Sequence, residues 1–159
     1  RIIFLDKFDV DRVVEELPKS TVLMGVPTFY VRLLEADGFD RDLCATMRLF
    51  ISGSAPLLAE TFTPFEARTG QPILERYGMT EAGMITSNPY SGSRVPGTVG
   101  FALPGVTARV VDDKGREIER GEVGVLEVRG PNVFAGYWEG VVFILFSVRV
   151  YRLIGEERN

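Results

Sequence analysis

The stretch TVLMGVPTFYVRLL, residues 21–34, joins two segments whose apolar residues follow different patterns. Its first five residues are a short apolar run of the kind found in buried strands. Pro27 comes next, and proline is favoured in the first turn of a helix. The apolar residues after it share one helical face: Phe29, Tyr30, Leu33 and Leu34. The stretch therefore predicts a strand followed directly by a helix.

The same order of elements is expected on both sides of this stretch. Residues 1–5 predict a short buried strand, and Asp9 is a typical N-cap for a helix that Pro18 ends. Further along, MRLFIS at residues 47–52 and PILERYG at residues 72–78 predict two more strands. Strands that alternate with helices at this spacing predict an α/β fold with a parallel sheet of βαβ units.

The helix between the last two strands is expected to begin at Pro56 and to end near Gly70. Pro64 lies inside it, where proline removes a hydrogen bond at a cost of about 3 kcal/mol. We therefore expect a kink or a restart of the helix there.

The composition changes after the fourth strand. Residues 87–105 are dense in Gly, Pro, Ser and Asn, which predicts loops. Residues 107–130 hold two β-rich runs joined by a turn at DKG, residues 113–115, which predicts a small antiparallel, barrel-like subdomain. We expect three parts: an α/β part at 1–90, a β-rich subdomain at 91–138 and a divergent tail at 139–159.

The composition also excludes several classes of function. The 159 residues include no histidine, so they hold no Ser-His or Cys-His catalysis and no imidazole metal site. A formal net charge of −4 gives no sign of nucleic acid as a partner. The single cysteine, Cys44, is expected in the core and fits a cytoplasmic setting. The apolar run at residues 141–146 is far shorter than the ~20 residues of a membrane span, so a buried strand is expected there.

Two loops follow strands that are expected to be parallel: SGSAPL at residues 52–57 and ERYGMTE at residues 75–81. Each alone is typical of an ordinary turn. As a site, the small residues of the first would let a flat ring approach the backbone. In the second, Tyr77 offers a ring, Thr80 a hydroxyl and Glu81 a carboxylate suited to Mg²⁺. Ligands of open α/β sheets bind at the carboxyl ends of the strands, which favours a shared site.

Common nucleotide-binding motifs are absent from the sequence. It contains no G-x-G pair and no lysine directly after a glycine, so it has neither the dinucleotide fingerprint nor the Walker A loop. A nucleotide would have to be bound by another route.

Five motifs, in this order and spacing, resemble the AMP-forming acyl-CoA synthetases: GVPTFYVRLL, LFISGSAPL, ERYGMTE, GTVGFALPGV and GEVGVLEVRGPNVFAGYW. Within that family they resemble the malonyl-CoA synthetase branch, and the resemblance covers residues 1–138. It implies a ligase that activates a carboxylic acid, malonate or another short acyl acid, with MgATP to an acyl-adenylate. The acyl group would then pass to CoA. The implied cofactors and partners are therefore ATP or AMP, Mg²⁺, CoA and a small acid.

The resemblance also implies roles for individual residues. It places four loop residues beside the adenine: Gly53, Ser54, Ala55 and Pro56. It assigns a second group to the nucleotide, with the ring of Tyr77 packed on the base: Glu75, Arg76, Tyr77, Gly78, Met79 and Thr80. A third group would line the acyl pocket: Pro27, Thr28, Met79, Val99 and Gly100. The catalytic pair would be Thr80, which contacts the α-phosphate, and Glu81, which holds Mg²⁺.

Several features of the family are not matched. The Gly/Ser/Thr-rich phosphate loop, the Thr-Gly-Asp whose aspartate binds the ribose, and the small C-terminal domain with its catalytic lysine are not found. The chain also lacks an initiating methionine, so we expect it to begin inside a longer one and its tail to be a truncation, a frameshifted end or a fusion. One alternative is thus a catalytically incomplete remnant that acts at most as a weak nucleotide-binding or interaction module.

Two further alternatives concern the substrate: a synthetase for another acid and a peptide-synthetase adenylation domain. The second is disfavoured by Met79, where such domains usually carry proline. For the distal carboxylate of a diacid, Arg76 and Arg94 are candidates by proximity in sequence, and both are equally typical of solvated surface arginines.

Overall fold

The computed structural model describes residues 1–119 and 121–137, together with the backbone of residues 148–150. The chain divides into two compact units, which are described in turn. The first consists of Arg1–Glu75 and Pro89–Gly97, the second of Arg76–Asn88 and Thr98–Asn159. The domain limits expected at residues 90 and 138 stay a prediction.

The first unit contains three α-helices, one short 3₁₀ helix and a parallel sheet. In chain order its elements are α1 (Val10–Glu16), the 3₁₀ helix (Leu17–Lys19), β1 (Val22–Gly25), α2 (Pro27–Leu34), β2 (Leu49–Ser52), α3 (Ala59–Thr69) and the start of β3 (Leu74–Met79). Strand β2 pairs in parallel with β1 on one side and with the start of β3 on the other. The predicted α/β fold with a parallel sheet is confirmed.

Helix starts in this unit follow the local signals of the sequence. Asp9 caps α1, and its carboxylate accepts a hydrogen bond from the backbone N–H of Arg12 at 3.1 Å. Pro27 is the first residue of α2, as predicted. Gly70 ends α3 in the left-handed conformation, with φ of 75°, and its N–H donates to the carbonyl of Glu66.

Aromatic rings fill the core of the first unit. Phe65 of α3 is fully buried and contacts the rings of Tyr30, Phe39 and Phe50, with ring centroids 4.9–5.6 Å apart. Helix α3 continues through Pro64 rather than restarting there. Burying each large apolar side chain stabilises the fold by about 1.5–3 kcal/mol. The burial of Phe65 and Phe62 is therefore of the size needed to offset the cost of the proline.

Two predictions for this unit are wrong. Residues 1–5 form no strand, and Ile2 and Phe4 are 90% and 86% exposed. An apolar run becomes a strand only beside a partner, and the described residues provide none here. Helix α3 begins at Ala59 rather than Pro56, because the backbone of Leu58 is extended, with ψ of 145°, and interrupts the helix between the two residues. The N–H of Leu57 donates to the Glu75 carboxylate.

The second unit consists of antiparallel strands. Strand β3 continues into it from Arg76 and pairs with β4 (Gly83–Ser87), which pairs in turn with β5 (Phe101–Ala102). Neither β4 nor β5 was expected, and β5 lies inside the predicted loops. The pairing of β3 with β4 shifts register between Tyr77 and Gly78.

A second sheet follows in the same unit. Its strands are β6 (Thr107–Val111), β7 (Gly124–Arg129) and β8 (Val148–Val150), all antiparallel in this order. The two β-rich runs are therefore confirmed, and the turn between them is held by the Asp112 carboxylate, which accepts from the N–H of Lys114 and of Arg116. In the part that the structure describes, this sheet is open and three-stranded, not a closed barrel.

Among the described residues, no helix has the length and apolar composition that crossing a membrane requires. The strand predicted at residues 141–146 lies outside the described residues.

Candidate active site

In the first unit, the predicted adenine loop comes directly after β2. Gly53 is partly buried, whereas Ser54, Ala55 and Pro56 are exposed. Ser54 adopts a left-handed conformation with φ of 68°, the one non-glycine residue to do so in the described part of the chain. Such a conformation costs on the order of 1–3 kcal/mol in a non-glycine residue and is concentrated at functional sites. The loop therefore presents its backbone and small side chains outward in a strained conformation.

The side chain of Glu75 is hydrogen-bonded to the end of this loop. Its side chain is buried, and its carboxylate accepts a hydrogen bond from the N–H of Leu57 at 2.8 Å. Burial raises the pKa of the Glu75 carboxyl above its ordinary value, while the bond from Leu57 acts in the opposite direction. The sequence predicted Glu75 on the wall of a nucleotide pocket. The structure gives it a further role, since it fixes the end of the adenine loop.

The carboxyl ends of the parallel strands meet at one edge of this unit. Gly25, Ser52 and Glu75 lie in register across β1, β2 and β3. Ser52 is fully buried, and its hydroxyl has no hydrogen-bond partner among the described residues. Pro27 and Thr28, two predicted acyl-pocket residues, begin α2 just after this edge. The first unit therefore brings part of the predicted acyl pocket and the predicted adenine loop to the same edge of its sheet.

In the second unit, the predicted nucleotide residues continue along β3 into a turn. Tyr77 is partly buried, and both burial and the nearby Glu81 charge raise its pKa. Gly78 admits no side chain, because a Cβ there would overlap the carbonyl of Gly83. Met79 is partly buried at the end of β3, and Thr80 is exposed. A ring, a hydroxyl and a carboxylate therefore lie within five consecutive residues.

Glu81 is held by residues 132–137, for which the sequence predicted no role. Its carbonyl accepts the N–H of Phe134 at 2.8 Å, and its carboxylate accepts the hydroxyl of Tyr137. Asn132 donates to the carbonyl of the next residue, Ala82, at 2.6 Å. The three donors lie inside the motif GPNVFAGYW, but no local pattern indicates which strand or turn they reach.

The last two predicted acyl-pocket residues, Val99 and Gly100, are partly buried in the second unit. Gly100 has φ of 75°, and a Cβ there would overlap the backbone of Ser87 and Asn88. The side-chain amide of Asn88 donates to the carbonyl of Thr98 at 2.6 Å. Backbone contacts therefore fix this loop against the end of β4.

The described residues contain no group of three or more His, Cys, Asp or Glu that could hold a metal alone. Glu81 offers one carboxylate. Its Oε1 takes the hydroxyl of Tyr137, and its Oε2 has no hydrogen-bond partner in the described part of the chain. Mg²⁺ is commonly bound through one or two carboxylates, with substrate phosphates and waters completing its six ligands. The site thus fits an ion that arrives with phosphates, and it does not fit an all-protein metal cage.

Arg94 already has three acceptors within its own unit. Its guanidinium donates to the carbonyls of Pro72, Pro89 and Tyr90 at 2.6, 3.1 and 2.9 Å. Arg94 is therefore partly buried rather than fully solvated, and three of its five N–H donors brace the loop of residues 89–94. The backbone of Arg76 pairs with Ser87 in the β3–β4 sheet, whereas its side chain makes no hydrogen bond or ion pair with the residues that the structure describes.

Comparison with known proteins agrees with these motifs. Residues 1–138 match the model of the AMP-binding enzyme family. The mitochondrial malonate–CoA ligase ACSF3 of Mus musculus is 37% identical, over 86% of this chain and 30% of that protein. A malonate–CoA ligase of Arabidopsis thaliana is 40% identical, over 74% of this chain and 20% of its own length.

A solved structure extends the similarity to three dimensions. The crystal structure of ATP-bound MatB from Rhodopseudomonas palustris is 59% identical, with a TM-score of 0.83, over 86% of this chain and 27% of that one. The chain therefore spans less than a third of each of these relatives. Because the family match covers most of its length, the chain belongs to the AMP-binding enzymes, the family of the AMP-forming acyl-CoA synthetases.

Proposed function

We propose that this chain supplies the adenine, α-phosphate and Mg²⁺ contacts of an acid–CoA ligase that activates malonate or a similar short acyl acid. The observation that carries the proposal is Glu81, a partly buried carboxylate with one oxygen hydrogen-bonded and the other open. It follows Thr80 in the turn where the sequence resembles the adenylate-forming enzymes. The names of the malonate–CoA ligase relatives support the choice of acid.

The proposed reaction has two steps. A carboxylate oxygen of the acid attacks the α-phosphorus of ATP, and pyrophosphate leaves. The sulfur of CoA then attacks the acyl carbonyl carbon, and AMP leaves. Neither step needs a covalent bond to the protein. The protein therefore contributes by positioning the reactants and neutralising their charge.

The residues of the chain divide this task. The hydroxyl of Thr80 donates to an oxygen of the α-phosphate, where negative charge accumulates as the acid attacks. The carboxylate of Glu81 provides an oxygen ligand for Mg²⁺, which when bound neutralises phosphate charge. Gly53, Ser54 and Ala55 border the adenine, because their small side chains leave its flat face room to approach.

The remaining assignments concern the base and the acid. The ring of Tyr77 packs on the adenine, with Arg76, Gly78 and Met79 beside it. Pro56 also borders the adenine, and Glu75 holds the adenine loop in place through the N–H of Leu57. The acyl pocket is proposed to be lined by Pro27, Thr28, Met79, Val99 and Gly100. Arg76 is the arginine left for the distal carboxylate of malonate, since Arg94 is engaged with three carbonyls.

A second candidate is a nucleotide-binding module without turnover. These 159 residues contain no Thr-Gly-Asp motif and no Gly/Ser/Thr-rich phosphate loop. Under this proposal the 159-residue chain binds AMP weakly and forms no acyl-adenylate. A cytoplasmic location belongs to both proposals.

Photolabelling tests the assignment of the adenine site. The purified chain is irradiated with 8-azido-adenosine monophosphate, and the labelled peptides are identified by mass spectrometry. We expect label on the peptides that contain residues 53–56 or Tyr77, and we expect excess AMP to abolish it. Label spread over the surface, or label that AMP does not displace, would contradict the proposal.

A further inference from the structure

The turn that carries Glu81 is held by hydrogen bonds from a segment 50 or more residues further along the chain. Residues 132–137, here called the clasp, donate three hydrogen bonds to it. They come from the Asn132 side chain to the Ala82 carbonyl, from the Phe134 N–H to the Glu81 carbonyl, and from the Tyr137 hydroxyl to the Glu81 carboxylate. Two of the three bonds fix the backbone, and the third acts on the carboxylate itself.

Contacts within the clasp fix the position of Tyr137. The ring of Tyr137 packs edge-on against the ring of Phe134, with centroids 4.9 Å apart. Phe134 is tied to Glu81 by its backbone, so the two rings and the turn form one connected unit. Gly130 leaves room for this arrangement, because a Cβ there would overlap the Oδ1 atom of Asn132.

The hydrogen bond from Tyr137 makes the two carboxylate oxygens of Glu81 inequivalent. Oε1 accepts the hydroxyl, whereas Oε2 has no partner in the described residues. A carboxylate with no such bond rotates freely and must be ordered when an ion binds. One whose first oxygen is already fixed presents its second oxygen in a defined direction, which is how outer ligands tune metal sites.

We propose that Tyr137 is a positioning residue that orients the Glu81 carboxylate so that Oε2 receives the Mg²⁺ ion carried by ATP. This inference rests on the proposed function and deepens it. It places a determinant of metal affinity 56 residues beyond the metal-binding carboxylate. The hydroxyl of Tyr137 contacts the Glu81 carboxylate, and its proposed effect on the metal passes through that contact.

The test is a Mg²⁺ titration at fixed ATP, followed by calorimetry, with AMP binding measured separately in the absence of the metal. Four forms of the 159-residue chain are compared: wild type, Tyr137→Phe, Glu81→Gln and the double variant. Tyr137→Phe keeps the ring that packs on Phe134 and removes only the hydroxyl. Tyr90→Phe is the matched control, since the Tyr90 hydroxyl is exposed and makes no hydrogen bond among the described residues.

We expect Tyr137→Phe to raise the Mg²⁺ concentration at half-saturation about tenfold, the lower end of the effect of losing an outer-shell partner. Metal-free AMP binding should stay unchanged, because only the carboxylate orientation is lost. In the Glu81→Gln background the same change should have no further effect on Mg²⁺ dependence. Tyr90→Phe should match the wild type in both titrations.

Each contrary result has a distinct meaning. A wild-type Mg²⁺ dependence in Tyr137→Phe would overturn the inference and leave the proposed function standing. Equal losses of AMP and MgATP affinity, or failure of Tyr137→Phe to fold by circular dichroism, would overturn it by showing that the hydroxyl is structural. If the wild-type chain bound neither AMP nor MgATP, the proposed function itself would fail, and this inference with it.

Discussion

The carboxylate of Glu75 accepts a hydrogen bond at 2.8 Å from the backbone N–H of Leu57, which lies 18 residues earlier in the chain. The bond joins the third parallel strand to the end of the small-residue loop that follows the second. Both partners are buried, so water cannot replace the bond if it is lost. The loop proposed to border the adenine is therefore held by a side chain rather than by its own turn.

Removal of this carboxylate is expected to destabilise the fold. Glu75→Ala leaves the buried N–H of Leu57 without its acceptor, at a cost of about 1.5–3 kcal/mol. Glu75→Gln keeps an acceptor oxygen and should lose less. The free energy of unfolding in urea measures both, with Glu35→Gln as an exposed control that should stay within about 0.5 kcal/mol of wild type. Equal stability of Glu75→Ala and wild type would contradict the bracing role.

The raised pKa of Glu75 predicts a pH dependence of stability. Because the folded state holds the Glu75 proton more tightly than the unfolded state does, the folded state is favoured as pH falls from neutral toward the ordinary carboxyl value of 4.5. Glu75→Gln does not titrate. The difference in unfolding free energy between wild type and Glu75→Gln should therefore move in favour of wild type as pH falls from 7 to 4.5. A difference that is constant with pH, or that moves the other way, would show that burial does not raise this pKa.

Cys44 is expected to resist alkylation in the folded chain. It is fully buried, and burial, with a smaller contribution from the Asp40 charge, raises the pKa of its thiol to about 11. The reactive thiolate is then scarce at pH 8, where an unfolded thiol is partly ionised. We expect iodoacetamide to modify the native chain at least about 100-fold more slowly than the urea-unfolded chain, as followed by mass spectrometry. Rapid modification under native conditions would place Cys44 outside the core.

Gly100 offers a test of the loop that carries two predicted acyl-pocket residues. Gly100→Ala combines an unfavourable left-handed φ of 75° with overlap between the new Cβ and the backbone of Ser87. Gly97→Ala is a matched control, since its φ of 73° is nearly the same and its Cβ would meet no atom within 4 Å. The control should cost about 1–2 kcal/mol, the penalty of the left-handed conformation alone, and Gly100→Ala should cost more. Equal losses in urea unfolding would show that the loop does not pack on Ser87.

Arg94 is predicted to act in stability rather than in acid recognition. Its planar guanidinium donates to three carbonyls from three separate nitrogens, a spread that the single nitrogen of a lysine ammonium does not reproduce. Arg94→Lys should therefore lower the free energy of unfolding by about 1–2 kcal/mol. Arg48→Lys, at an exposed arginine, is the control and should have little effect. An unchanged stability of Arg94→Lys would reopen the possibility that this arginine serves a substrate carboxylate.

The parts of the fold that the sequence predicted are those with local causes. Asp9 caps the helix that begins at the next residue, Pro27 begins one, and Gly70 ends one. The strand at residues 1–5 was wrong because strand formation depends on a partner elsewhere in the chain. Strand β4 was missed for the same reason, since its run of five residues gains its identity from pairing with β3.

In the candidate site, too, the sequence predicted the local features and missed the contacts between distant residues. Thr80 and Glu81 could be singled out because their chemistry is visible within one short motif. The link between Glu81 and Tyr137 could not, because 56 residues and several strands separate them in sequence. Likewise, nothing local to Arg94 indicates that three carbonyls surround its guanidinium.

The most direct test of the central claim is calorimetric titration of the folded chain with AMP and with MgATP, beside Glu81→Ala. The account predicts saturable binding of both nucleotides, with the MgATP affinity reduced and the AMP affinity kept in the variant. It would be contradicted by a chain that is folded by circular dichroism and binds neither nucleotide, or by MgATP binding that is unchanged in Glu81→Ala.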